Sequence, residues 1–126
     1  MSIFEKVNEY LKEQGLQPKT EEGKFIIFKY QTCTFFYDYP DDDEYYFRLV
    51  LPHIYKVNED NREAVLEIAN KLNSSYKLAK VCVQEEYVDI CVEIFLDSDP
   101  VFDDMIPRVL NILLQAREEF HTEITV

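Results

Sequence analysis

The chain has 126 residues, 47% hydrophobic and 30% charged, which suits one soluble domain with a single apolar core over residues 1–126. Thirteen Lys and Arg against 25 Asp and Glu give a formal net charge of −12. That balance argues against nucleic acid and anionic membranes as partners, because both recruit lysine and arginine.

Ser2-Ile3-Phe4-Glu5 has the form of a capping box, in which the Ser2 hydroxyl accepts from the Glu5 N–H. Phe4, Val7 and Leu11 follow at helical spacing. Gly15 can take the left-handed position past the last turn, with Leu16 folding back and Pro18 blocking continuation. A helix is predicted over about residues 3–14. Gly23 opens a strand over 24–30, where both faces are partly apolar and the register stays open between Ile26/Phe28 and Phe25/Ile27. Whether Tyr30 and Gln31 form a tight turn or a bent strand is equally open. A second strand spans 32–38 and a third 45–51, with the acidic run at 40–44 as the turn between them.

Pro52 is expected to end the third strand, and Asn58 or Asp60 to cap the next helix. Val65, Ile68, Ala69 and Leu72 form its stripe, and Asn73-Ser74-Ser75 closes it. Two alternating strands follow, over 76–83 and 87–96. Ala79, Val81 and Val83, then Val88, Ile90, Val92 and Ile94, fall on single faces. Asp97-Ser98-Asp99-Pro100 reads as a helix start with proline in the first turn. Phe102, Ile106, Val109, Leu113, Ala116 and Phe120 give the stripe of the last helix. Leu110, Ile112 and Leu114 broaden it, as in a helix sandwiched between layers or shared with a second subunit. Pro107 is expected to delay or kink this helix. The order αβββαββα implies an α+β fold, a single antiparallel sheet of about five strands with helices on one face.

The segment from Asn61-Arg62-Glu63-Ala64-Val65-Leu66-Glu67-Ile68-Ala69-Asn70 through Lys71-Leu72-Asn73-Ser74-Ser75-Tyr76-Lys77-Leu78-Ala79-Lys80-Val81, with Val92-Glu93-Ile94-Phe95-Leu96 and Arg117-Glu118-Glu119-Phe120, resembles the bacterial YbjN-like and type III secretion chaperone-like domains. The resemblance covers about residues 58–121 and excludes the tyrosine-rich hairpin. It implies an antiparallel sheet with helices on one side and no shared catalytic residues.

No hydrolase elbow, phosphate loop or histidine metal motif occurs, and the two histidines, His53 and His121, stand far apart in sequence. No enzymatic activity, metal or cofactor is expected. Asp97, Asp99, Asp103 and Asp104 are explained by helix capping. Asp41 to Glu44, flanked by tyrosines, form either a contact patch for a basic partner or a solvated hairpin tip that blocks edge pairing, the second being favoured. Cys33, Cys82 and Cys91 lack metal spacing and fit free thiols in a reducing compartment, with Cys82 and Cys91 placed for cross-strand contact. Residues 1–11 show no secretion signal, and the uncharged stretch 109–116 is too short to span a bilayer, so a cytoplasmic location is expected. The expected function is a non-enzymatic protein-binding domain, a chaperone-like or regulatory adaptor for an apolar client segment. Leu110, Ile112, Leu114, Tyr39 and Tyr45 are its candidate contact residues. The alternatives are a structural homodimer without a client and, less favoured, a small-molecule-binding or metal-dependent enzyme.

Overall fold

The computed structural model describes residues 2–38, 43 and 45–125. In chain order these form α1 (Ile3–Glu13), β1 (Lys19–Glu21), β2 (Phe25–Tyr30), β3 (Cys33–Asp38), β4 (Tyr46–Lys56), α2 (Arg62–Ser75), β5 (Ala79–Val83), β6 (Tyr87–Phe95) and α3 (Phe102–Thr125). One antiparallel sheet runs β1-β2-β3-β4-β6-β5. The α+β class and the antiparallel sheet are as the sequence implies, with six strands rather than five. The additional strand is β1, whose three residues are all exposed and carry no apolar alternation.

Cross-strand pairing fixes which face is inward. Ile26, Tyr37, Leu49, Val92 and Ala79 pair in one row across five strands. They share a core with the buried residues of all three helices. This resolves the register of β2: Ile26 and Phe28 are inward, and Phe25 and Ile27 are only half-buried. Val50 and Cys91 are also buried, yet they lie outside that core.

At the start of α1 the Glu5 N–H donates to Ser2 Oγ at 3.1 Å. At its end Gly15 takes φ +76° and the Leu16 N–H donates to the Leu11 carbonyl at 3.1 Å. The β2–β3 connection is a two-residue turn, with Tyr30 paired to Cys33 and both Gln31 (φ 49°) and Thr32 (φ 66°) left-handed. Primed turns need that backbone to match strand twist.

Three local expectations are corrected. Pro52 does not end its strand, because β4 runs on to Lys56 through a register shift between Leu51 and Tyr55. A bulge asks no ladder donor of the proline. Neither Asn58 nor Asp60 is the α2 cap. That position is Asn61, whose side chain instead accepts from the Asn58 N–H at 2.8 Å, while Asn58 Oδ1 accepts from the Asn61 N–H at 2.9 Å. Finally, α3 begins at Phe102, after Pro100, with Asp103 and Asp104 in its first turn. Pro107 lies inside the helix and does not delay its start, and in the second turn it removes the bond to the Asp103 carbonyl. The acidic turn, apart from Asp43, and the candidate contact residue Tyr39 lie outside the described residues.

The outer edge of β5 is occupied. Asn73 Oδ1 accepts from the Val81 N–H at 2.6 Å, and Asn73 Nδ2 donates to the Val81 carbonyl at 3.0 Å. One amide side chain from α2 thus takes the place of a neighbouring strand. Replacing Asn73 with Ala, which leaves two part-buried backbone groups unpaired, is expected to cost about 1–3 kcal/mol in urea unfolding. Leu113→Ala, at a fully buried position, is expected to cost about 2–5 kcal/mol. Leu66→Ala, at an exposed one, should stay within about 0.5 kcal/mol.

Candidate functional site: the uncovered sheet face

Residues that alternate with the core positions line the face that, among the described residues, carries no helix. Ile27, Phe36, Val50, Cys91 and Lys80 pair in one cross-strand row. Phe25, Asp38, Arg48 and Glu93 form the next, and Tyr46 pairs with Phe95 beyond it. The apolar row is supported by stacking of Phe25 on Phe36, with ring centroids 5.9 Å apart.

The charged row is a connected network. Arg48 Nη1 lies 3.1 Å from Asp38 Oδ2, and Arg48 Nε lies 3.0 Å from Glu93 Oε1. Lys80 Nζ lies 3.1 Å from Glu93 Oε2. The Tyr46 hydroxyl hydrogen-bonds the same carboxylate and is the largest cause holding Glu93 down to about 2. Burial, followed by that hydrogen bond, pushes Tyr46 up to about 12. The network fixes side chains across four adjacent strands, from β3 to β5, and makes this part of the face a rigid polar surface.

Cys82 and Cys91 lie on adjacent strands, two residues apart in register and on the same face. The Cys91 thiol hydrogen-bonds Cys82 and lowers its pKa to about 7, opposed by burial and helped by Lys80 and Arg48. Cys91 is pushed up by that bond and by its own burial. Cys82 is therefore the more acidic thiol.

At one corner Phe95 is 79% exposed and meets Tyr46 edge-on, with centroids 6.1 Å apart. Tyr45 adjoins this corner, its carbonyl accepting from the Leu96 N–H at 2.6 Å, and it is itself exposed. The other candidate contact residues lie elsewhere. Leu110 is buried in the core, while Ile112 and Leu114 are half-buried against it. The breadth of the α3 apolar surface comes from contacts with α1, α2 and three strands at once. Sequence reasoning named Tyr45 but missed Tyr46, Arg48, Glu93 and Phe95. Their signal was the outward half of the alternation that identified the strands. Among the described residues no group of three or more His, Cys, Asp or Glu is placed to hold a metal ion.

The YbjN family, described as a putative bacterial sensory transduction regulator, matches residues 4–125. The chain belongs to the YbjN family. The match includes the tyrosine-rich hairpin that the sequence resemblance left out. E. coli YbjN, described as a putative transcription regulator, superposes with a TM-score of 0.65 at 10% identity, covering 98% of this chain and 92% of that one. An uncharacterized protein from Methanothermobacter thermautotrophicus superposes with a TM-score of 0.66 at 14% identity, covering 96% and 95%. At such identities the likeness is one of fold. No curated protein matches the sequence.

Glu93 is held below its usual 4.5 in the folded protein, so its contribution is complete above that pH and fades as pH falls toward about 2. Glu93→Gln should flatten the acid limb in that window and lower stability at neutral pH by about 1–3 kcal/mol, read by denaturant titration at several pH values. The Cys82 alkylation rate should rise with a midpoint near pH 7 and move toward the usual 9.0 in Cys91→Ala, as followed by mass spectrometry.

Proposed function

We propose that this domain is a non-enzymatic regulatory or adaptor module that holds a protein segment on the uncovered sheet face. The observation that carries the reading is the corner of Phe95, Tyr46 and Tyr45, where a phenylalanine is 79% exposed beside two tyrosines. Aromatic side chains supply much of the binding energy at protein interfaces. The family's description as a sensory transduction regulator agrees with such a role. Docking on the face is favoured over strand addition at β5, whose outer edge Asn73 occupies.

The chemistry indicates the kind of client. A net charge of −12 favours a segment with basic residues flanking apolar ones. Holding such a segment is the role that the resemblance to secretion chaperones implies. The free cysteines suit a reducing cytoplasm. Among the described residues no helix is long and apolar enough to cross a membrane. Two copies pairing these faces about a two-fold axis would bury the same corner, and sedimentation separates that assembly from a complex with a client.

Phe95→Asp should leave the thermal transition unchanged, because the side chain is exposed, and weaken association with a co-purifying partner by tenfold or more, about 1.4 kcal/mol. Unchanged association in Phe95→Asp, with loss in a folded Ile112→Asp or Leu114→Asp, would move the site to α3.

A further inference from the structure

We propose that the cleft between β3, the β4 bulge and α3 binds a small organic anion, whose carboxylate or phosphate group is held by Arg117. This site is distinct from the aromatic corner and independent of the reading above.

The cleft has a local origin. Among the described residues β3 pairs with β4 from Phe36 to Asp38 and not at Cys33–Phe35, and β4 shifts register between Leu51 and Tyr55. The two strands therefore part at Cys33–Phe35, and an open cavity of about 420 Å³ forms there. Such a volume suits a small organic molecule.

Its lining is unusual for so acidic a chain. Arg117, Thr32, Thr34, Cys33 and His53 contribute to the wall, and no Asp or Glu does. Of the four arginines, Arg48 pairs with Asp38 and Glu93, Arg62 donates to the Glu85 carbonyl, and Arg108 pairs with Asp104. Arg117 is half-buried, and its guanidinium has no hydrogen bond or ion pair among the described residues. A guanidinium presents a planar fork of donors that matches carboxylate and phosphate oxygens. Thr32 and Thr34 also contribute to the wall.

The surrounding backbone is held in place. Thr32 and His53 both take left-handed φ, 66° and 54°. A β-branched residue rarely adopts that conformation, and such strain collects at ligand clamps. His53 is fixed by its N–H bond to Asp89 Oδ1 at 2.8 Å and by stacking on Tyr87 at 4.2 Å. One turn beyond Arg117, His121 Nε2 donates to the Ile54 carbonyl at 2.7 Å and ties α3 to the bulge.

The test is a heteronuclear NMR titration of the full chain, in buffer free of other oxyanions, with inorganic phosphate, phenyl phosphate and benzoate. The expected result is a saturable shift of the Thr32, Cys33, Thr34 and His53 amides and of Arg117 Nε–H with at least one organic probe. The stronger of phenyl phosphate and benzoate identifies the head group. Arg117→Gln should abolish the response while melting within about 2 °C of the parent, because no partner is lost. Arg117→Lys should weaken it about tenfold, since the charge stays but the fork goes. The proposal is overturned by the absence of a saturable shift with all three probes. A response that Arg117→Gln leaves intact overturns it equally.

Discussion

The ladder between β4 and β6 joins two halves of the chain that are otherwise separate in sequence. One half is the meander of β1 to β4, and the other is α2, the β5–β6 hairpin and α3. Nearly every feature with a functional bearing bridges these two strands: Tyr46 with Phe95, Arg48 with Glu93, Val50 with Cys91, and the His53 N–H with Asp89. Where the ladder shifts register, β4 parts from β3 and the Arg117 cleft opens.

The ladder also makes the sheet one-sided. Antiparallel sheets can leave one face to solvent while the other packs a core. Here the three helices share a single core with one face. The opposite face has no helix among the described residues and shields Val50 and Cys91 with its own side chains. Polar residues there must be paired to be rigid, and Arg48 between Asp38 and Glu93 meets that need. Surface ion pairs contribute little singly. A network that also bonds Tyr46 and Lys80 is worth more as a fixed template than as a source of stability. The aromatic corner lies at its end.

Local features of the fold were legible in the sequence wherever a local rule governs them. Ser2 and Gly15 bound α1 through capping chemistry, and the 3–4 spacing from Phe102 to Phe120 lies in the core throughout. Alternation in β5 and β6 identified their inward residues. What failed depends on partners distant in sequence. Pro52 reads as a stop until Asp89, on another strand, takes the His53 N–H and sustains the bulge. Lys19–Glu21 becomes a strand only because β2 offers an edge. Leu110, one of the three apolar positions beyond the α3 stripe, is buried where the helix meets α1, α2 and the sheet together, while Ile112 and Leu114 are half-buried. Alternation marks Tyr46, Arg48, Glu93 and Phe95 as outward within their own strands, but only strand pairing brings them together as one surface.

The central claim is that the face opposite the helices, at its Phe95 corner, is where this domain meets another protein. Site-specific photocrosslinking in living cells tests it most directly, with the photoreactive residue at position 95 or, as a control on the helical side, at exposed position 66. The account predicts one discrete protein adduct from position 95 and none from position 66. Adducts from position 66 alone, or equal labelling from both, would contradict it.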